Sequence, residues 1–278
     1  MPRNLVVTGA STGIGRAIAV AAHEAGWRVL GTVRKDADVD ALAQLGIASA
    51  RLDLQDDASV IAGCEEIVGW CAGELHGLIN NAGSTWPAPI ELMALADLRA
   101  QLDLNVVGQV HITQRLLPSI RSAGGHVLFI SSDSTVVTPP IVGAYAASKR
   151  AIEAIAESLA IETLDQGIRV SVLSPGPYDT AIWGTSTPRG EAYLSAPDPR
   201  MQRYQALAEG LRRMTTKRTL HDPRDLAQVA LGLLDHAAPP FRTTAPLQSR
   251  ITSGIRRWIP SRLWFRVLRW LLLRGGEG

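Results

Sequence analysis

Short apolar runs alternate with longer amphipathic stretches through most of this 278-residue chain. The apolar runs have the length of buried strands, and the amphipathic stretches have the period of helices. Alternation of strands and helices predicts a parallel sheet with helices on both faces, so we expect an α/β fold with one doubly wound sheet of about seven strands. The predicted strands span about residues 4–8, 27–33, 48–52, 76–80, 126–131 and 168–173, and the predicted helices about 14–25, 38–45, 56–72, 95–121, 145–165 and 199–214.

A segment after the sixth predicted strand departs from this alternation. Residues 174–200 are rich in Pro, Gly, Ser and Thr and also carry aromatic side chains. Long loops of this kind often cover a binding site, although a plain surface loop has the same composition. We predict a loop here that belongs to a lid over about residues 177–215.

The C-terminal residues differ again in composition. Pro239 and Pro240 end the preceding helix, and residues 262–274 then interleave arginines with tryptophan and leucine. Such a basic amphipathic helix can lie on a membrane surface, pack on its own domain or contact a second subunit. We therefore divide the chain into a domain of residues 1–250 and a tail of residues 251–278, and peripheral membrane contact is one of three alternatives for the tail.

Composition and charge narrow the class of protein. Hydrophobic residues make up 46% and charged residues 19% of the chain, as in ordinary soluble domains, and the net charge of +2 gives no indication of nucleic-acid binding. Cys64 and Cys71 lack the partners of a metal site, so we expect reduced thiols and no metal. Met1 leads directly into the first strand without a signal peptide, which favours a cytoplasmic protein, in solution or at a membrane periphery.

A glycine-rich turn joins the first predicted strand to the first helix. Gly9 permits the tight turn, Gly13 lets a phosphate approach the backbone, and Gly15 lets the helix pack closely on the strand. The spacing Gly-x-x-x-Gly-x-Gly predicts a phosphate-binding turn. Its candidate binding residues are Gly9, Ser11, Thr12, Gly13, Ile14 and Gly15.

Tyr145 and Lys149 form the most informative pair in the chain. They are four residues apart and share one face of a predicted helix, and Ser132 lies thirteen residues before the tyrosine. A phenol has a pKa of about 10, and a neighbouring ammonium group lowers it. A serine hydroxyl beside the phenol can hold a carbonyl or alcohol oxygen. Together the three side chains predict proton transfer in alcohol–ketone chemistry.

With these motifs the chain resembles the short-chain dehydrogenases/reductases. The remaining matches appear in the family's order over about residues 5 to 185, and they are Asp53-Leu54, Asn80-Asn81-Ala82-Gly83, Asn105 and Pro175-Gly176. The resemblance is closest to the branch of hydroxysteroid and retinol dehydrogenases and carbonyl reductases. It implies a Rossmann-type domain that binds a dinucleotide and transfers a hydride. The thirteen-residue spacing selects Ser132 over the adjacent Ser131.

The resemblance implies a role for each catalytic residue. Tyr145 acts as general acid in reduction and as base in oxidation, while Lys149 lowers its pKa and binds the nicotinamide ribose. Ser132 orients the substrate oxygen, and Asn105 holds a water that links Lys149 to solvent. For the cofactor it implies contacts of Asp53 and Leu54 with adenine, of Asn81, Ala82 and Gly83 with the ribose, and of Pro175, Gly176 and Thr180 with the carboxamide.

The end of the second strand indicates which dinucleotide is used. NAD enzymes usually place an acidic residue there, and this chain has Val33 followed by Arg34. Because an arginine can pair with a 2′-phosphate, we expect NADP(H) rather than NAD(H). The second basic residue that NADP enzymes of the family often carry before the middle glycine is replaced here by Thr12.

The substrate is predicted only as a class. Apolar candidates near the site favour an apolar ketone or aldehyde and its alcohol, and leave its identity, the stereochemistry and the physiological direction open. The candidate substrate residues are Ser132, Val136, Pro177, Tyr178 and Trp183. By resemblance, the helices at about 95–121 and 145–165 would build a homodimer or homotetramer. A non-catalytic dinucleotide sensor or scaffold of the same fold is the alternative function.

Overall fold

Seven parallel strands form one sheet in this computed structural model, which describes residues 2–180, 182–195, 197–216 and 220–274. The strands are β1 Asn4–Thr8, β2 Arg28–Val33, β3 Ala48–Arg51, β4 Gly77–Asn80, β5 His126–Ile130, β6 Arg169–Pro175 and β7 Arg242–Ala245. Their order in the sheet is β3-β2-β1-β4-β5-β6-β7. The predicted doubly wound α/β fold is therefore confirmed.

Helices cover both faces of the sheet. They are α1 Gly13–Glu24, α2 Asp36–Ala43, α3 Asp57–Trp70, α4 Leu95–Leu102, α5 Gly108–Ser122, α6 Gly143–Glu162, α7 Ile182–Leu194, α8 Gln202–Thr216, α9 Pro223–Asp235, α10 Leu247–Arg256 and α11 Ser261–Leu273. Among the described residues, no helix is both long enough and apolar enough to cross a membrane.

Two hydrophobic cores follow from the alternation of side chains along the strands. Val7 of β1 packs in the core that contains α1 and α9, whereas its neighbour Val6 packs in the core that contains α3, α5 and α6. Successive residues of a strand point to opposite faces, so a strand that is apolar throughout contributes to both cores. This explains why the central strands read as continuous apolar runs.

The strand order changes direction between β1 and β4. From β1 the sheet runs to β2 and β3 on one side and to β4 and the later strands on the other. Ligands of such sheets bind in the crevice at the carboxyl ends of the strands at this switch point. The glycine-rich turn after Thr8 and the segment after Asn80 both lie there.

The structure differs from three sequence-based expectations. The predicted helix 95–121 is divided by a π-helical turn, Asp103–Val107, between α4 and α5. The segment 174–200, predicted as a loop, contains α7. The edge strand β7, which was not among the six located strands, has the polar sequence Arg-Thr-Thr-Ala and is recognisable only through its pairing with β6.

Candidate active site

The glycine-rich turn is held against the end of β2. Gly9 and Gly13 have positive φ angles of 66° and 58°, a region that favours glycine. The Gly9 amide donates to Thr32 Oγ1 at 3.3 Å, and the Ala10 amide donates to Thr32 O at 3.1 Å. The turn therefore has a defined position between β1 and α1.

Gly15 brings the first turn of α1 close to this loop. A Cβ atom at Gly15 would lie 2.3 Å from Gly9 O and 2.4 Å from Asn81 Nδ2, so a larger residue would push the helix away. Glycines with positive φ before a helix N-terminus form a concave, anion-binding arrangement of backbone amides. These residues fit the pyrophosphate of a dinucleotide.

The segment after β4 packs behind the turn through Thr8. Thr8 Oγ1 accepts hydrogen bonds from the amides of Asn81 and Ala82, both at 2.9 Å. The Asn81 side chain donates in return to Thr8 O at 2.9 Å. Gly83 follows at the surface, and a Cβ there would lie 3.1 Å from Asn105 Oδ1 and 3.5 Å from Lys149 Nζ. The predicted ribose segment thus connects the glycine turn with the Tyr145–Lys149 pair.

Residues at the ends of β2 and β3 border the same crevice. Arg34 follows β2, is exposed, and has no ion pair with any described residue. Asp53 follows β3, and its carboxylate accepts from the Gln55 amide at 3.0 Å. The N-cap of α3 is Asp56, not Asp53. Asp53 is thus not needed to cap the helix, and the neighbouring Leu54 is buried.

Ser132, Tyr145 and Lys149 come together beside the end of β5. Ser132 follows this strand closely, while the other two lie one turn apart on α6. The Ser132 side chain is close enough to the phenol of Tyr145 to lower the pKa of that phenol. Lys149 Nζ lies 5.9 Å from the centre of the tyrosine ring and donates to Ile130 O at 2.8 Å. The structure therefore brings the three predicted side chains into one cluster.

Burial dominates the protonation of this cluster. It raises the pKa of Tyr145 to about 12, where the contact with Ser132 opposes the shift and the charge of Asp133 adds to it. Burial also lowers the pKa of Lys149 to about 8, against the raising effect of Glu153. Removal from water is therefore the main influence on the pKa of the phenol in the absence of a bound dinucleotide. The phenol is protonated at neutral pH.

Asn105 lies in the π-helical turn and is completely buried. Its Oδ1 accepts from the Ser84 amide at 3.0 Å, while its Nδ2 donates to Ser84 O and to Ser148 Oγ, both at 3.0 Å. π-Helical turns often occur at functional sites. Here the turn allows one side chain to join the segment after β4 to α6 next to Lys149.

Glu153 is a site residue that the sequence analysis missed. It lies one turn after Lys149 on α6, is almost fully buried, and accepts from Ser131 Oγ at 2.5 Å and Thr135 Oγ1 at 3.1 Å. Arg242 of β7 pairs with it at 3.4 Å. The spacing Lys-x-x-x-Glu was visible in the sequence, but the hydroxyl groups and the arginine come from other elements.

Two side chains of helix α7 bind residues that follow β4. Arg189 NH1 donates to Ser84 Oγ at 2.7 Å, and its guanidinium stacks 4.1 Å from the ring centre of Trp86. Tyr193 Oη bonds to the Asp97 carboxylate and accepts from the Ala94 amide. The sequence indicated a lid here but gave no sign of Arg189, because its partners are about a hundred residues away.

The predicted substrate residues do not share one environment. Val136 and Pro177 are partly buried near the site. Tyr178 is only 3% exposed, and its ring belongs to the core and packs against His221, so it leaves the set of pocket candidates. Trp183 lies in α7, and its side chain is outside the described part of the structure.

The three residues predicted to contact the carboxamide lie at and after the end of β6. Pro175 ends this strand, the Gly176 amide donates to Ala245 O at 2.7 Å, and Thr180 follows in an irregular segment.

Comparison with known proteins agrees with this geometry. A model of the short chain dehydrogenase family matches residues 3–190. The chain is 36% identical over 200 residues to the NADPH-dependent 3-dehydrocapnine reductase of Ornithobacterium rhinotracheale, covering 69% of this chain and 71% of that protein. It is 31% identical over 288 residues to retinol dehydrogenase 8 of Bos taurus, covering 98% and 91%. A solved short-chain dehydrogenase from Streptomyces avermitilis matches with a TM-score of 0.79 and 27% identity over the full length of both chains.

Proposed function

Because the chain belongs to the short-chain dehydrogenase family, whose members are NAD(P)-dependent oxidoreductases, we propose that it interconverts an apolar ketone or aldehyde and its alcohol with NADP(H). The observation that carries the proposal is the cluster of Ser132, Tyr145 and Lys149 beside the end of β5. It lies at the edge of the sheet where the glycine-rich turn fits a pyrophosphate. Proton transfer and cofactor binding can therefore meet at one substrate carbon.

In this proposal Tyr145 is the proton donor in reduction. Its raised pKa, about 12, keeps the hydroxyl protonated at neutral pH and ready to donate to the substrate oxygen. The Ser132 hydroxyl donates a hydrogen bond to the same oxygen and fixes its position. In the reverse direction the tyrosine accepts the alcohol proton. The bound cofactor supplies or accepts the hydride.

Lys149 and Asn105 support the tyrosine. The ammonium group of Lys149 lies beside the phenol ring and would bind the nicotinamide ribose hydroxyls. Asn105 fixes Ser84 and Ser148 around the lysine and would hold a water that connects Lys149 to solvent. These roles leave the lysine as a positive charge that stabilises the phenolate after proton donation.

The preference for NADP(H) is part of the proposal. Arg34 has no carboxylate partner among the described residues and lies beside the turn that would hold the pyrophosphate, where a 2′-phosphate could pair with it. Asp53 and Leu54 would contact the adenine, and Pro175, Gly176 and Thr180 the carboxamide. The name of the 3-dehydrocapnine reductase, which includes NADPH dependence, supports the same choice.

The remaining parts of the proposal concern organisation. Residues 1–250 would form the cofactor-binding and catalytic domain of a cytoplasmic protein, with a lid over about 177–215, and residues 251–278 would form a basic amphipathic tail. We also propose a homodimer or homotetramer. Ile161 of α6 and the nearby Leu164 are exposed and could serve such an interface, whereas Ile152 is buried against its own sheet.

Replacement of the tyrosine tests the proposal. We expect Tyr145→Phe to bind NADPH as the unchanged protein does and to lose turnover by a factor of about 100 or more, because the proton donor is absent. The measurement is NADPH oxidation at neutral pH with a panel of apolar ketones and aldehydes, together with NADPH binding by fluorescence.

Tyr204→Phe is the matched control, since this lid residue donates to the exposed Glu91 at 2.5 Å. It should retain turnover. If the Tyr145→Phe variant turned over substrate as fast as the unchanged protein, the catalytic assignment of Tyr145 would be contradicted. Binding of NADPH without turnover of any carbonyl or alcohol would favour a non-catalytic dinucleotide sensor.

A further inference from the structure

The last two helices concentrate exposed arginines and exposed apolar residues. Residues 247–274 contain seven arginines and no aspartate or glutamate. The same stretch exposes large hydrophobic side chains along both α10 and α11, and Trp258 in the turn between them is 89% exposed. So many exposed apolar side chains close together indicate an interaction surface for a protein, a ligand or a membrane.

The inner face of α11 already has a partner. Leu272 is buried, and its carbonyl accepts a hydrogen bond from Arg213 of α8 at 3.0 Å. A Cβ atom at Gly210 of α8 would lie 2.1 Å from the same carbonyl, so the two helices are in close contact. This packing fixes the orientation of α11 and thereby determines which of its side chains face outwards.

The outer face of α11 carries an apolar stripe. Leu263, Val267 and Trp270 recur at helical spacing and are exposed, with Trp270 at 51%. Arg262, Arg266 and Arg269 lie side by side on the neighbouring arc of the helix. An apolar stripe with arginines along its border is typical of a helix that lies in the headgroup region of a bilayer.

The preceding helix, α10, also has one face that contacts the domain and one exposed apolar face. Its buried Ser249 donates to the Asp133 carboxylate at 3.2 Å, which attaches the helix next to Ser132. Leu247, Ile251 and Ile255 recur every four residues and are exposed. Both helices thus use one face inside the molecule and leave an apolar face outside.

The charge pattern selects the occupant of this surface. A second copy docked through the same two helices would place their exposed arginines against one another, with no aspartate or glutamate in residues 247–274 to compensate them. A nucleic acid would neutralise the arginines but leave the apolar stripes in water. Anionic lipid headgroups with the underlying acyl chains satisfy both features. We propose that the outer faces of α10 and α11 form a docking surface for an anionic lipid bilayer.

The docking surface also bears on how substrate reaches the site. α11 packs on α8, within the proposed lid, and α10 contacts the residue after Ser132. A bilayer bound by these helices would lie beside the lid, so an apolar carbonyl dissolved in the membrane could enter without crossing water. This consequence rests on the proposed oxidoreductase function, whereas the docking itself does not.

Sedimentation of the full-length protein with vesicles tests the docking. We expect binding to vesicles of phosphatidylcholine and phosphatidylserine in equal amounts, and little binding to phosphatidylcholine alone. Each arginine near an anionic surface contributes about fivefold to partitioning, so Arg262→Gln with Arg266→Gln should weaken binding roughly 30-fold. Trp270→Ser should weaken it as well, because the side chain enters the headgroup region.

The control is Arg3→Gln with Arg28→Gln, two exposed arginines just before β1 and at the start of β2. This variant should bind vesicles like the unchanged protein. Absence of binding to anionic vesicles, equal weakening by both arginine pairs, or a change from oligomer to monomer in Trp270→Ser would overturn the proposal. Turnover of a small water-soluble ketone, measured without vesicles, reports separately on the oxidoreductase function.

Discussion

At the scale of single residues, the buried carboxylate of Glu153 sets the charge environment of Lys149. Burial alone would lower the pKa of the lysine further than the value of about 8, and Glu153 opposes this. The carboxylate itself is stabilised by hydroxyl donors from Ser131 and Thr135 and by Arg242. The charge of the proposed catalytic lysine therefore depends on a residue outside the family motif.

We predict that Glu153→Gln lowers the pKa of Lys149. Because Glu153 raises this pKa, its neutralisation makes the lysine lose its proton at a lower pH. The alkaline limb of the pH profile of kcat/KM, which reports on the free enzyme, should shift to lower pH.

Glu157→Gln is the matched control for this shift. Glu157 lies one turn further along α6, is exposed, and pairs with the same Arg242 at 3.0 Å. Its variant should keep the original profile. An unchanged profile in Glu153→Gln would show that the carboxylate has no influence on the titrating lysine.

Arg34 provides a second prediction at this scale. Arg34→Ser should raise the KM for NADPH about tenfold or more and leave the KM for NADH nearly unchanged, because only the former offers a 2′-phosphate. Steady-state kinetics with both cofactors measure the effect. Arg28→Ser, at the opposite end of β2, serves as the control and should alter neither KM. Equal losses with both cofactors would contradict the assigned role.

At the scale of elements, the lid depends on a few long-range contacts. α7 contains Pro188 and a largely polar sequence, so its own residues give little reason for a helix. The bonds of Arg189 and Tyr193 to the segment after β4 hold it in place. Since Ser84 also bonds to Asn105, the lid is connected directly to the proposed proton path.

We predict that Arg189→Ala loosens the lid. The variant loses the stacking on Trp86 and the bond to Ser84, so amide hydrogen exchange in residues 182–194 should rise about tenfold, and the KM for substrate should rise with it. Arg200→Ala is the control, since Arg200 pairs locally with Asp198 at 2.7 Å. Identical exchange in both variants would mean that Arg189 does not hold the lid.

At the scale of the whole molecule, the buried sheet makes stability sensitive to acid. His126 of β5 is completely buried, with Nε2 2.6 Å from Ser171 Oγ, and burial lowers its pKa from 6.5 to about 3. Between these two values the unfolded chain binds a proton that the folded chain does not. The stability that the neutral histidine provides is therefore present above pH 6.5 and is lost as the pH falls.

Urea unfolding at pH 7 and pH 5 should reveal this loss. We expect the free energy of unfolding to fall by about 2 kcal/mol through this group, and His126→Asn to show a smaller fall. The control His23→Asn replaces an exposed histidine on α1. Its free energy of unfolding should fall as much as that of the unchanged protein. An equal fall in His126→Asn would contradict the assignment.

The alternating pattern was sufficient to predict most of the sheet. Six strands and the helices between them were located because each is encoded by residues that are neighbours in sequence. The polar edge strand β7 and helix α7 were missed, since partners distant in the sequence stabilise them. The same reason explains the π-helical turn at Asn105, which interrupts a continuous helical pattern.

Local spacing was enough to identify the fold class, the family and the positions of the glycine-rich turn, Ser132, Tyr145 and Lys149. The folded chain was needed to find that Glu153 supports Lys149, that Tyr178 belongs to the core, and which faces of α10 and α11 remain exposed. These features depend on burial and electrostatic environment, which arise from contacts between elements far apart in the chain. For that reason the sign of the Tyr145 pKa shift could be found only once the chain was folded.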